Sequence, residues 1–239
     1  MHSSTGGRTE NQDAADHFAE GGLQGWVLAD GLGGHRGGGR ASSIVTEALV
    51  EACRAEGRLA GATIEAAARE AQSVLTTQQE AHPEYRRMRS TFVLLLADRE
   101  AEAALWGHAG DSRLYHFRDG AIAHQTRDHS VVQVLVEAGE IDADEMRDHS
   151  GSHRILRALG GDADDAAPDV REEPVRVRAG DAFLLCSDGF WEGVTEAQML
   201  EARAGAATPA AWLESMTARL AAADGAEQDN HTALAVYAR

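Results

Sequence analysis

The 239-residue sequence contains no lysine; all 22 of its basic residues are arginine. That excludes a phosphate-binding loop of the Walker type, which needs a lysine, and any Schiff-base mechanism. Positive charge is scarce in every form. Against those 22 residues stand 39 Asp and Glu, for a formal net charge of −17. Such a surplus repels nucleic-acid phosphates and anionic lipid, and no dense arginine cluster offsets it, so neither nucleic acid nor a membrane is an expected partner. Cysteine is nearly absent. Cys53 and Cys186 are far apart and belong to no CxxC pair, which argues against a disulfide framework and points to a reducing, cytoplasmic setting. Long apolar runs are missing too. The longest, Phe92–Ala97, is the length of a strand and far short of the ~20 residues a membrane span requires. The opening Met1–Gly7 has neither the basic nor the apolar region of a secretory signal.

What is present is an ordinary globular composition, 43% apolar and 26% charged. The first 23 residues read as polar and irregular. Gly25–Ala29 reads as a buried strand ending at Asp30-Gly31, followed by a glycine-dense loop. Ala41, Ile44, Val45, Ala48, Leu49, Ala52 and Cys53 then fall on one helical stripe that Gly57 stops. Thr63 is placed to cap a second helix running to about Ala81, before Pro83. Thr91–Ala97, Ala103–His108 and Leu114–Phe117 read as strands with turns between them. Residues 128–160 read as short, broken helical pieces, with Val131, Val134, Leu135 and Ala138 as one stripe. Val175–Val177 and Ala182–Cys186 read as a hairpin about Gly180. Thr195 caps a short helix, Thr208-Pro209 opens a longer one to about Ala223, and Thr232–Tyr237 is a closing strand. Strands and helices alternate in blocks, which predicts an α+β domain with antiparallel sheets over residues 1–239.

Five aspartates stand apart from the acids on helix faces. Asp13, Asp30, Asp111, Asp188 and Asp229 each sit at or beside a strand end, next to glycine or a small polar residue. Ionised carboxylates beside apolar strands are costly unless paired, and too few arginines lie near them in sequence. Two readings stay open on spacing alone: an all-oxygen site for a hard divalent cation, or strand-end aspartates capping turns. His149 and His153 have a zinc-like i, i+4 spacing but lack a third ligand nearby in sequence. His35 and His129 read as loop braces, and Trp106, Trp191 and Trp212 as packing residues. Ser187 is not a nucleophile-elbow serine, because G-x-S-x-G is absent.

The order of the segments is more specific. Arg8-Thr9-Glu10-Asn11-Gln12-Asp13, Asp30-Gly31-Leu32-Gly33-Gly34-His35, Ser90-Thr91-Phe92, Gly110-Asp111-Ser112-Arg113, Thr126-Arg127-Asp128-His129-Ser130, Arg157-Ala158-Leu159-Gly160, Ser187-Asp188-Gly189 and Asp229-Asn230 resemble the motifs of the metal-dependent Ser/Thr protein phosphatases (PPM, type 2C), in that family's order. The resemblance covers nearly the whole chain and matches the family's stand-alone bacterial form. It implies an αββα sandwich, two antiparallel sheets each covered by a helix pair, with 128–160 as a flap over the active site. It implies hydrolysis of phosphoserine and phosphothreonine by a water between two Mn²⁺ or Mg²⁺ ions, with Asp30 bridging them, the Gly31 carbonyl on one ion, Asp188 and Asp229 on the other, and Asp13 nearby. Asp111 would serve a weaker third ion, and Arg8 would hold the phosphate as a fork. The partners implied are phosphorylated proteins and an opposing Ser/Thr kinase, the chain acting as a monomer. Two positions depart from the family: Gln12 stands where an acid is usual, and Leu32 where some members carry a proton-donating histidine. The competing reading is a catalytically silent, phosphatase-like binding module.

Overall fold

The computed structural model describes residues 1–33, 37–162, 165–222 and 228–238. Gly34 and His35 of the glycine loop, and the expected end of the last helix at Ala223, lie outside them. In chain order the strands are β1 (His2–Ser4), β2 (Asp13–Glu20), β3 (Leu23–Leu32), β4 (Arg89–Ser90), β5 (Phe92–Asp98), β6 (Ala103–Ala109), β7 (Arg113–Arg118), β8 (Ala121–Gln125), β9 (Asp169–Val170), β10 (Val175–Arg176), β11 (Ala182–Cys186) and β12 (His231–Tyr237). The helices are α1 (Gly38–Glu56), α2 (Gly61–Ala81), α3 (Val131–Glu137), α4 (Asp188–Trp191), α5 (Glu196–Ala204) and α6 (Pro209–Ala222).

Two antiparallel sheets result. One has the order β1-β12-β11-β7-β8, the other β10-β6-β5-β3-β2, with β4 beside β3 and β9 beside β6. Strand alternation decides what each face buries. Leu28, Val93, Leu95, Phe183 and Leu185 point between the sheets. Their neighbours Val27, Ala29, Leu94 and Leu96 face α1 and α2, and Leu184 and Cys186 face the core under α5 and α6. Burial on both faces explains why β5 and β11 read as unbroken apolar runs rather than alternating ones. The layers run helix, sheet, sheet, helix, as the resemblance implies.

α1 ends at Gly57, which adopts φ 60° and donates its N–H to the Cys53 carbonyl, a conformation that favours glycine. Cys53 is buried on the core stripe. α5 starts in a complete capping box, Thr195 with Gln198. Thr208 Oγ1 accepts from Ala211 N ahead of α6.

Four expectations need correction. The opening segment is not irregular: β2 pairs with β3 over its whole length. It is an edge strand in which only Phe18 is buried, so no apolar alternation marks it. Thr63 does not cap α2; the helix starts at Gly61 and Thr63 is buried in its first turn. In α3 the buried residue is Val132, and Val134 is 52% exposed, so the stripe lies elsewhere on the helix. Val175–Val177 and Ala182–Cys186 form no hairpin. β10 pairs with β6 and β11 with β7 and β12, so the chain crosses from one sheet to the other at Gly180, φ 92°. A two-sheet crossing and a hairpin present the same turn chemistry, which is why sequence cannot separate them.

Candidate metal centre

The antiparallel register sets Asp13 directly opposite Asp30 across β2 and β3. The Asp30 backbone is held by the Ser90-Thr91 segment. Thr91 Oγ1 accepts from Asp30 N at 3.0 Å, while Thr91 N and Ser90 Oγ both donate to the Asp30 carbonyl at 2.9 Å. Thr91 Oγ1 also meets Ser112 Oγ at 2.7 Å, beside Asp111. This is the physical reason for small hydroxyl residues before β5: they are short enough to tie two acid-bearing turns together without filling the space between them. Gly31 donates its N–H to the Gln12 carbonyl at 3.1 Å. A Cβ there would collide with the backbone of Gly38, so only glycine fits.

On the other sheet, Asp188 opens α4 directly after β11, and its Oδ1 accepts from Gly189 N at 2.6 Å. Asp229 precedes β12. Asn230 beside it staples the opening loop, accepting from Gln12 N at 2.8 Å and donating to the Thr5 and Glu10 carbonyls at 2.9 Å each. The acids therefore converge from both sheets on a cleft of about 520 Å³, lined among others by Arg8, Asp30, Gly31, His153, Asp188 and Asp229. Asp13 and Asp111 do not line it, and both interact electrostatically with Asp30. Ser187 Oγ donates to Asp13 Oδ2 at 2.8 Å, so it serves as a support and not as a nucleophile.

The electrostatics show what the cluster lacks. Burial, then Asp188, Asp13, Asp111 and Asp229, push the Asp30 carboxyl well above its usual range. Burial pushes Asp13 up to about 7, with Asp188 and Asp229 adding to it against hydrogen bonds from Thr232 and Ser187. Asp111 and Asp188 are raised as well, again chiefly by burial. Asp13 Oδ1 and Asp111 Oδ1 are buried without a hydrogen-bond partner. Buried carboxylates that repel one another and leave orphaned oxygens fit a hard divalent cation, and the donor set is all oxygen.

Arg8 forks onto Asp229, Nε to Oδ1 at 3.0 Å and Nη2 to Oδ2 at 2.8 Å. The two side chains are 57% and 35% exposed. An ion pair so open to water contributes about 0–1 kcal/mol. Little free energy therefore holds the guanidinium on Asp229.

His129 is a brace, as its sequence context suggests: its Nδ1 accepts from Gly110 N at 3.2 Å and its own N–H donates to the Gly110 carbonyl at 2.9 Å. Trp106, Trp191 and Trp212 are buried. His149 and His153 share no helix; they lie in successive turns, and His149 Nδ1 accepts from Gly151 N. Sequence reasoning did not pick out Glu192, whose carboxyl burial pushes up to about 7, with Asp188 and Asp229 contributing. Its signal was there: Asp188 and Glu192 are four residues apart.

The family model for protein phosphatase 2C matches residues 2–234. The serine/threonine protein phosphatase PstP of Mycobacterium tuberculosis is 37% identical over 177 residues, 74% of this chain and 33% of that protein's length. The chain thus spans about a third of that relative. A crystal structure of the same mycobacterial phosphatase superposes with a TM-score of 0.83 at 32% identity, covering 100% of this chain and 97% of the other. Its catalytic domain in complex with two manganese ions gives 0.79 at 32% identity, covering 98% and 95%. With the family model spanning nearly every residue and the acids meeting where the motifs place them, the chain belongs to the protein phosphatase 2C family.

Proposed function

We propose that the chain hydrolyses phosphoserine and phosphothreonine in proteins, with Mn²⁺ or Mg²⁺, in opposition to a Ser/Thr kinase. The observation that carries this is the meeting of acids from two sheets, two of them with orphaned buried oxygens, at a cleft bordered by an exposed arginine fork. Asp30, Asp188, Asp229 and the Gly31 carbonyl would hold two ions, with Asp13 supporting them and Asp111 serving a third. When bound, such ions stabilise charge on phosphoryl oxygens and generate a nucleophile from water near neutral pH.

The chain's own residues do the rest. Arg8 turns from Asp229 to the phosphoryl oxygens, where its planar fork offers two parallel N–H donors. Ser187 holds Asp13, and Thr91 and Ser90 hold Asp30, so the acids stay aimed without reorganising. The excursion 128–160 acts as a flap at the edge of the cleft, contributing His153 and Ile155 to its lining. The cleft itself is open, which suits a phosphorylated side chain presented on a protein surface.

The test is hydrolysis of p-nitrophenyl phosphate and of a phosphothreonine peptide in Mn²⁺. Activity lost in EDTA and in Asp30→Ala, with the fold retained by circular dichroism, is the expected result. Metal-independent turnover, or an Asp30→Ala variant as active as the parent, would sink the reading.

A further inference from the structure

Positive charge, scarce overall, collects beside the cleft. Arg86-Arg87-Met88-Arg89 puts three arginines in four residues, and the fold sets this segment against the cleft wall. In the β3–β4 register Arg89 stands opposite Leu32, and a Cβ on Gly33 would meet the Arg87 carbonyl at 2.8 Å. Leu32 and Gly33 both line the cleft. The segment is anchored. Met88 is buried, its carbonyl accepts from Gln79 Nε2 at 2.7 Å, and its N–H donates to the Tyr85 carbonyl at 2.9 Å. Arg40 of α1 joins the group: its guanidinium lies 5.2 Å from the centre of the Tyr85 ring and donates to Gln78 Oε1 at 2.6 Å. The acids of this neighbourhood face other groups, Asp165 at 3.6 Å from Arg89 and Glu84 at 3.8 Å from His82. Arg86 and Arg87 are exposed, and among the described residues their side chains have no hydrogen-bond or ion-pair partner.

We propose that Arg86 and Arg87, with Arg40 beside them, dock an acidic segment of the phosphoprotein, a few residues along its chain from the phosphoserine or phosphothreonine in the cleft. This docking rests on the proposed hydrolysis and narrows its substrates to a class of sequence. A net charge of −17 repels an acidic peptide from most of the surface. The arginine group is too small to reverse that charge, yet it gives such a peptide one favourable register. Each guanidinium stays charged at every working pH and offers a carboxylate two parallel N–H donors. An extended peptide advances ~3.3 Å per residue, so an acid a few positions from the phosphoresidue spans the wall that Leu32 and Gly33 form. Exposed charges act on encounter and register rather than on the reacting atoms, and neither Arg86 nor Arg87 lines the cleft. The surface therefore lowers KM and leaves the hydrolytic step alone.

The experiment gives the full chain, in Mn²⁺, two phosphothreonine peptides of equal length, one flanked on both sides by Asp and Glu and the other by Asn and Gln. The acidic peptide should have the lower KM at low salt, and the preference should fade as ionic strength rises. With Arg86→Gln and Arg87→Gln combined, KM for the acidic peptide should rise about threefold to tenfold, the reach of two exposed charge pairs. KM for the neutral peptide, turnover of p-nitrophenyl phosphate and the melting temperature should stay unchanged. A variant that loses both peptides alike, or neither, overturns the proposal. So does capture of RNA or of anionic vesicles through the same arginines with no preference between the peptides. Fluorescence anisotropy of the labelled peptides in EDTA reads docking without turnover. If the chain hydrolyses neither peptide, weaker binding of the acidic one by the variant refutes the proposed hydrolysis and leaves the docking surface standing; equal binding overturns the surface as well.

Discussion

At the scale of single residues, Asp13 is where stability and the proposed metal binding would oppose each other. Its carboxyl is buried, raised to about 7, and one oxygen has no partner. Asp13→Asn removes the buried charge while keeping an oxygen to accept from Ser187 Oγ. The variant is expected to be more stable than the parent without metal at pH 8, and to bind Mn²⁺ more weakly. Thermal melts with and without Mn²⁺ check both halves; a variant less stable in each condition contradicts the assignment. Arg8 presents the opposite case. It is exposed and its pair with Asp229 is weak, so Arg8→Lys should leave the melting temperature within error. Lysine keeps the charge and loses the fork. KM for a phosphopeptide should rise about tenfold, the worth of one charge-assisted hydrogen bond, with a smaller change in kcat. An unchanged KM would show that the guanidinium never reaches the phosphoryl group.

At the scale of elements, a buried polar joint ties β7 to the start of the excursion 128–160. Arg113 forks onto Asp128, Nε and Nη2 each at 2.8 Å, with side-chain exposures of 4% and 2%. The guanidinium lies 3.5 Å from the centre of the Trp191 ring. Breaking a buried pair by removing one partner costs about 3–5 kcal/mol, whereas replacing both with apolar groups is often neutral. Asp128→Asn should therefore lower the denaturation midpoint sharply, and Arg113→Met with Asp128→Leu should recover much of it; a double-mutant cycle measures the difference. That joint also shows what sequence can and cannot say. The helix stripe of α1 and the apolar runs of β5 and β11 were legible because burial imposes a period or a run. That Arg8, Asp30, Gly31, Asp188 and Asp229 meet at one cleft was legible from their motif order. The edge strand β2, the sheet-to-sheet crossing at Gly180 and the stripe of α3 were not, because each is decided by which neighbour the chain meets.

At the scale of the molecule, the acids make stability a function of pH and metal together. Asp13 and Glu192 are both raised to about 7, while unfolded carboxyls titrate near 4. Between those limits the folded chain binds more protons than the unfolded one, so stability falls as pH rises through that window and levels off above about 7. For a buried group such as Asp13 the slope is at most about 1.4 kcal/mol per pH unit. His108, held by burial down to about 4, works in the other direction. It stays neutral in the fold while the unfolded ring takes up a proton below about 6.5. At pH 6.5 the unfolded ring is still half protonated, so His108 offsets part of the carboxyl effect between pH 6.5 and 8; the raised carboxyls, Asp30, Asp111 and Asp188 among them, outnumber it. The metal-free protein should melt at a lower temperature at pH 8 than at pH 6.5. Mn²⁺ requires the deprotonated acids, so the stabilisation it gives should grow over the same interval and reverse the trend. Scanning fluorimetry at both pH values, in EDTA and in Mn²⁺, reads all four states. A metal-free melting temperature that rises with pH, or a Mn²⁺ shift equal at the two pH values, would mean that the raised carboxyls are not the groups that hold the ion.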